Sequence, residues 1–362
     1  MSINMKHRKH IKVYTTYVIH EAQKNHDVEL RRSCESPVTP MNMAPEVPAI
    51  LVLGPPLVFK AYESDFSQKF NFLKPWEKPI PLQQFISTHS STVKAIFCSA
   101  VSPVTSDIIQ SLPELRFVLA SSTGVNHIDL RECKRRGIVV ANAGSTFSED
   151  VADMAVGLLI DVLRRISAGN RFVKSGVWRR EGDYPLAHKL SGKQVGIVGL
   201  GSIGLDIATR LKAMGCIISY TSRTMKPHVT FPFYPTIHQL VANCKILIIS
   251  CALTEETRHM IDREVMLVLG KEGIIVNIAR GAIINEKELI ECLVKGEIGG
   301  AGLDVFENEP NFPQELFPLD NVVLTPHHGA VTEEACRDLY DHVCKNLHAF
   351  LANKSLECEV DM

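Results

Sequence analysis

The chain has 362 residues, 45% of them hydrophobic and 22% charged, with a formal net charge of −1. That length admits two domains with cores of their own, and the near-neutral balance lacks the electrostatic footprint of a nucleic-acid or membrane-surface binder. No apolar run approaches the roughly 18 residues of a spanning helix, and the ten cysteines are scattered, with neither C-x-x-C pairs nor metal-ligand spacing, so they read as reduced core thiols of an intracellular protein.

Residues 1–47 stand apart. They carry the basic cluster Lys6, Arg8 and Lys9 and a stretch rich in proline and methionine up to Pro48, with no sustained period. A disordered extension is expected here. An organelle-targeting leader is the alternative, opposed by Glu21, Asp27, Glu29 and Glu35, since transit peptides are poor in acids. From residue 49 the pattern alternates. Residues 50–53, 94–98, 116–120 and 137–140 read as short apolar strands, and residues 57–70, 107–112 and 130–135 as helices. Strands alternating with helices imply a parallel sheet covered on both faces.

Ser148-Glu149-Asp150-Val151 reads as the capped start of a long helix through Ile166. It is apolar nearly all round, so burial is expected, with a subunit interface as one setting. Residues 195–198 form the next strand, and Gly199-Leu200-Gly201-Ser202-Ile203-Gly204 follows with G-x-G-x-x-G spacing. Ile207, Leu211 and Met214 then recur at helical spacing, Gly215 closes that helix, and residues 216–220 read as a second strand. Strand, glycine turn, helix, strand is the context that makes this fingerprint specific for a dinucleotide. The first glycine allows the turn, the second lets a pyrophosphate approach, and the third lets helix and strand pack. The helix N-terminus offers N–H groups and a positive dipole end to the phosphates. Arg223 lies where the adenosine ribose is met, flanked by Ser222 and Thr224, and no carboxylate occurs between Asp206 and Glu255. An acid there would bind the 2′-hydroxyl of NAD; an arginine suits the 2′-phosphate of NADPH. NADPH is therefore the expected cofactor, with NADH weaker.

Residues 246–251, 274–278, 300–305 and 322–324 read as further strands, with helices over 265–269 and 287–294 and a last helix over 332–351. Arg280, Glu309 and His327 each fall just past one of these strands, where open α/β sheets bind ligands. Singly, each also fits a plain role: a surface ion pair, a solvated turn carboxylate, a structural histidine. Together they make a constellation in which the arginine clamps a carboxylate and the glutamate stabilises an imidazolium that donates a proton to a developing alkoxide.

On these stretches the chain resembles the D-isomer-specific 2-hydroxyacid dehydrogenases, most of all the plant-type glyoxylate/hydroxypyruvate reductases. The matching segments are Ser122-Thr-Gly-Val-Asn-His-Ile-Asp129, the glycine fingerprint, Asn277-Ile-Ala-Arg-Gly-Ala282, Gly302-Leu-Asp-Val-Phe-Glu-Asn-Glu-Pro310 and Thr325-Pro-His-His-Gly329. The resemblance implies an α/β protein of two Rossmann-like doubly wound parallel-sheet domains with the active site in the cleft between them. The substrate domain would be discontinuous, residues 48–147 and 330–362, and the dinucleotide-binding domain residues 148–329. It implies NADPH-dependent reduction of glyoxylate and hydroxypyruvate to glycolate and D-glycerate, and a homodimer; the charge balance, the hydropathy and the scattered cysteines add the expectation of a cytoplasmic protein with no metal, nucleic-acid or membrane partner.

Residue by residue, Arg280 matches the substrate-carboxylate arginine, His327 the proton donor and Glu309 its partner. Val101 and Gly124 fall near loops whose amides hold the substrate carboxylate. Asp304 falls where an aspartate meets the nicotinamide carboxamide, and Ile278 joins the cofactor set of residues 199–204 and 222–224. Three positions depart from the family pattern: Ala252 in place of a proline, His328 in place of an aliphatic residue, and a loop at 100–105 without its usual glycine. The rival reading of another class is a dinucleotide-sensing corepressor of the same fold; within enzymes it is a dehydrogenase for another 2-oxo acid.

Overall fold

The computed structural model describes residues 48–362, so the expectations for residues 1–47 lie outside the described residues. The chain forms two compact units. One runs to Gly144 and resumes over Thr332–Met362; the other is Ser145–Val331.

In the first unit, β1 (Ala49–Leu53), β2 (Phe72–Leu73), β3 (Val93–Cys98), β4 (Phe117–Ala120) and β5 (Val139–Ala141) form one parallel sheet in the order β2-β1-β3-β4-β5. Strands β1 and β4 are buried end to end, and β3 everywhere but at Lys94, as a sheet covered on both faces requires. Leu51, Ile96, Val118 and Val140 pack with Phe85, Ile86, Ile109 and Leu112 on one side. The expected single helix over residues 57–70 is two helices, Leu57–Ala61 and Glu63–Lys69, broken at Tyr62. Packing overrides the local pattern here. The break lets Phe59 and Phe66 stack at 5.7 Å and both reach Phe97, while Tyr62 stacks on Tyr340 at 4.5 Å. Tyr340 belongs to the last helix, Glu333–Leu351, whose N-terminus is capped by the Thr332 hydroxyl accepting from the Ala335 N–H at 2.9 Å.

In the second unit, β6 (Gln194–Val198), β7 (Ile217–Thr221), β8 (Ile246–Ile249), β9 (Ile274–Asn277), β10 (Gly300–Leu303) and β11 (Val322–Leu324) form a parallel sheet in the order β11-β10-β9-β8-β6-β7. Counted from the first strand of each unit, both sheets begin 2-1-3-4-5, the other common doubly wound order beside 3-2-1-4-5-6. The chain leaves β6 to one side for β7 and crosses back to β8 on the other. The switch point therefore lies between β6 and β8, where such sheets bind ligands.

Three expectations for the helix that opens this unit are corrected. It spans Ser148–Arg164, and the backbone turns left-handed at Arg165 (φ 54°) before a separate helix, Ile166–Lys174. Nor is it buried all round: Glu149, Asp153, Gly157 and Arg164 form an exposed stripe, with Asp153 paired to Arg210 at 2.7 Å. Ser148 does not cap it. The helix begins at Ser148 itself, whose hydroxyl is buried without a hydrogen-bond partner. Strands β8 and β10 also stop two residues short of their expected ends. Cys251, Asp304 and Val305 are turned off the ladder into the loops that carry the site.

Candidate active site

The glycines of the fingerprint do three different jobs. Gly199 ends β6 at φ 92°, and a Cβ there would lie 2.7 Å from the Cys251 backbone. The loops past β6 and β8 approach closely only because that side chain is missing. A Cβ on Gly204 would lie 2.1 Å from the Gly199 carbonyl, so the helix Ser202–Ala213 seats directly on the turn. A Cβ on Gly201 would meet nothing within 4 Å. Gly201 faces open space at the helix N-terminus, and no acid stands in the first turn to repel an anion. Leu200 is buried, so any cofactor contact it makes is through its backbone, while Ser202 is exposed and Ile203 half-buried.

Arg223 and Thr224 lie exposed beyond β7. The Ser222 hydroxyl donates to the Thr224 carbonyl at 2.7 Å, so it must leave that bond to donate to a phosphate. The sequence shows no acid nearby, yet the fold brings one: Glu256, on the loop after β8, is lowered below the usual carboxylate range by the Thr254 hydroxyl, its own backbone and the charge of Arg223. Such a partner is invisible in linear spacing.

Arg280 follows β9 by a tight turn that Asn277 builds. The buried Asn277 amide donates to the Arg280 carbonyl at 3.0 Å and accepts from the Ala279 N–H at 3.1 Å. Ile278 lies buried in the same turn. Burial pushes the Arg280 guanidinium down from its usual value, partly offset by the charge of Glu309. A guanidinium nonetheless stays charged, and a desolvated fork binds a carboxylate strongly. Gly281 is the joint to the next loop. A Cβ there would stand 1.9 Å from the Phe306 carbonyl carbon and 2.3 Å from the Glu307 nitrogen. Backbone packs on backbone at this point, which brings the loops after β9 and β10 together.

Glu309 Oε2 lies 2.7 Å from His327 Nδ1, and its Oε1 accepts from the Phe306 N–H at 2.9 Å. Burial pushes the Glu309 carboxyl up. The hydrogen bonds from His327 and Phe306 and the charges of His327 and Arg280 outweigh it and hold the carboxyl below its usual range. His327 takes up a left-handed backbone (φ 50°), its N–H donating to the Asp304 carbonyl at 2.8 Å. A bulky residue at positive φ is strained and persists only where its surroundings hold it.

Asp304 supplies that hold. It is 2% exposed and accepts from the Thr325 hydroxyl at 2.6 Å, the His328 N–H at 3.0 Å and the Gly329 N–H at 2.9 Å. Its carboxylate thus builds the loop on which His327 sits, a role the sequence pattern did not reveal. The His328 ring points elsewhere from His327: its buried Nδ1 makes no hydrogen bond and lies 3.5 Å from Asp304 Oδ1.

The second unit thus brings together Arg280, Glu309, His327 and Asp304. Val101 and Gly124 belong to the first unit. Val101 is 85% exposed in the turn after β3; Gly124, after β4, has its carbonyl bonded by the Ser122 hydroxyl at 2.7 Å. The described cysteines are free thiols, and burial pushes Cys98 and Cys244 up to about 12. Neither of these two is a nucleophile at neutral pH.

Comparison with known proteins bears on the whole arrangement. Residues 156–329 match the family described as D-isomer specific 2-hydroxyacid dehydrogenase, NAD binding domain. A glyoxylate/hydroxypyruvate reductase of Arabidopsis thaliana is 51% identical over 281 residues, 78% of this chain and 87% of that protein. A second from the same plant, a glyoxylate/hydroxypyruvate reductase A, is 45% identical over 294 residues, 81% of this chain and 93% of that one. Among solved structures, the NADPH-dependent glyoxylate/hydroxypyruvate reductase of Sinorhizobium meliloti, in complex with NADP and malonate, superposes with a TM-score of 0.80. It has 32% identity and covers 87% of this chain and 97% of its own.

Proposed function

Because this chain belongs to the D-isomer specific 2-hydroxyacid dehydrogenase family, we propose that it reduces glyoxylate and hydroxypyruvate to glycolate and D-glycerate with NADPH. The observation that carries the reading is the 2.7 Å contact of His327 Nδ1 with Glu309, with Arg280 in electrostatic range of that carboxylate.

The residues fit the cofactor. Gly201 leaves open space at a helix N-terminus, Gly199 and Gly204 shape the turn beneath it, and Arg223 stands exposed with Ser222 and Thr224 beside it for a 2′-phosphate. NADPH, when bound, supplies the hydride. The chain supplies the rest. With Nδ1–H held by Glu309, the transferable proton sits on His327 Nε2, and the carboxylate stabilises the imidazolium until that proton passes to the substrate oxygen. Arg280 takes the substrate carboxylate by two parallel hydrogen bonds and fixes the 2-oxo group against it. The backbone amides at Val101 and Gly124, each on a loop past the carboxyl end of a strand, are assigned to the same carboxylate. Asp304 keeps its family assignment to the nicotinamide carboxamide only as an addition to the three bonds it already accepts.

A substrate panel tests the reading, with oxidation of NADPH followed at its absorbance and NADH in parallel. Turnover with glyoxylate and hydroxypyruvate is expected, faster with NADPH. Absence of turnover with every 2-oxo acid overturns it.

A homodimer belongs to the same proposal. Ile166, Val173, Trp178 and Leu186 are exposed apolar side chains on the helix Ile166–Lys174 and the segment after it, and a second copy would cover them. Sedimentation of the full chain tests this. Among the described residues no helix is long and apolar enough to cross a membrane. The free thiols favour the cytoplasm, with import through residues 1–47 as the alternative that a tagged chain in cells decides.

A further inference from the structure

A second histidine–glutamate pair lies beside the first, and the reaction described above does not use it. His259 Nε2 is 2.8 Å from Glu307 Oε1. The partners come from different loops, His259 after β8 and Glu307 after β10, two residues before Glu309. His259 is held at φ 52°, and its N–H donates at 2.9 Å to the carbonyl of Ala282, two residues past Arg280. A non-glycine residue keeps that conformation only when its surroundings impose it. Glu307 is gripped at its backbone too: its N–H donates to Glu286 Oε2 at 3.0 Å, and its nitrogen abuts Gly281. The Phe306 N–H then donates to Glu309. The segment 306–309 is therefore clamped at one end by His259 and Glu286, and at the other end it holds His327.

We propose that His259 and Glu307 are positioning residues for proton transfer: their pair locks residues 306–309 so that the Glu309 carboxylate stays on Nδ1 of His327. The inference rests on the reading of His327 as proton donor. Its physical basis is that proton transfer tolerates little misplacement, and support one layer behind the reacting groups fixes them. The charged surroundings are specific. Glu307 faces His259. Glu286 feels both Glu307 and Glu309, and burial together with those two charges pushes its carboxyl up against the Glu307 N–H bond that lowers it. Glu309 faces His327 and Arg280. Loss of the His259–Glu307 pair releases the segment and changes the field on Glu309 together.

The test uses the full chain with NADPH and glyoxylate, comparing Glu307→Ala, Glu307→Gln and His259→Asn, each also combined with His327→Gln. Asparagine is chosen because it tolerates a left-handed backbone. In Glu307→Ala and His259→Asn, kcat is expected to fall on the order of 10- to 100-fold while the KM for NADPH holds. Glu307→Gln, whose amide oxygen still accepts from His259, should recover most of kcat. In the His327→Gln background these changes should cost nothing further, because the positioned group is gone. If Glu307→Ala fails to fold, His259→Asn carries the same readouts. Full kcat in Glu307→Ala and His259→Asn overturns this inference alone, as does a loss that adds in full to that of His327→Gln. Full turnover of His327→Gln by itself removes the donor reading and this inference with it.

Discussion

Glu309 reaches His327 with one carboxylate oxygen, Oε2 to Nδ1 at 2.7 Å, and keeps the other for the Phe306 N–H at 2.9 Å. One residue thereby fixes the imidazole and is itself fixed by backbone from its own loop. The carboxylate cannot follow a wandering ring, so the ring must come to it.

The pH dependence of stability follows from that contact. The folded carboxyl of Glu309 lies below its usual value, which is about 4.3 in an unfolded chain. A depressed carboxyl contributes stability that is present above the unfolded value and lost as pH falls through the folded one. Glu309→Gln should therefore melt lower than the parent at neutral pH, with the gap closing as pH drops below about 4. Thermal melts of both proteins across that range check it; a gap that widens on acidification contradicts the assignment.

Two adjacent histidines invite confusion, and the geometry separates them. His327 holds Glu309, whereas the His328 ring lies toward Asp304. His327→Gln should lower turnover by roughly 100- to 10,000-fold, the range for lost general acid catalysis. His328→Val should retain most of it, because the His328 N–H bond to Asp304 at 3.0 Å is backbone and survives the change. Steady-state kinetics with glyoxylate decide, and an inactive His328→Val enzyme would reverse the assignment.

Arg280 is expected to act on the substrate carboxylate. Arg280→Lys keeps the charge and loses the planar fork, so kcat/KM for glyoxylate should drop on the order of 100-fold. NADPH affinity, followed by fluorescence titration, should stay level. Parallel loss of NADPH affinity would place Arg280 against the cofactor instead.

Much of this was readable from the chain. The glycine fingerprint was legible because each glycine answers a different backbone need, and Arg280, Glu309 and His327 because each falls at a strand end. Other features depend on which loops meet. His259 and Glu307 are 48 residues apart and pair only because β8 and β10 sit in one sheet. The break at Tyr62 follows from aromatic packing, and Ser148 looks like a cap until its hydroxyl is seen buried. Asp304 reads as a ligand contact, while its carboxylate is turned inward to build the loop under His327.

Gly281 should tolerate no side chain. The Cβ of Gly281→Ala would stand 1.9 Å from the Phe306 carbonyl carbon, and backbone cannot swing aside as a flexible side chain can. Forcing the loops apart should cost about 1–3 kcal/mol or more, as overpacking does. It should also cut kcat, because the Arg280 and Glu309 loops part together. Denaturant melts and kinetics on one preparation check both; a variant of parental stability would mean that the loops do not meet as described.

Cofactor choice should rest on Arg223. It stands exposed beyond β7 with Thr224 beside it, where an acid would otherwise select NADH. A guanidinium–phosphate contact is charge-assisted, worth about 1.5–3 kcal/mol, or roughly 10- to 100-fold in affinity. Arg223→Ala should raise the KM for NADPH by that factor and leave that for NADH nearly unchanged. Glu256 adds a second handle. Glu256, on the loop after β8, feels the charge of Arg223, the cation that a 2′-phosphate would take. Glu256→Gln should lower the KM for NADPH and leave that for NADH in place, with the benefit shrinking at high salt as exposed charges are screened. Kinetics with both cofactors at two ionic strengths separate the contributions. Equal or better efficiency with NADH in the parent enzyme would remove Arg223 from the phosphate site.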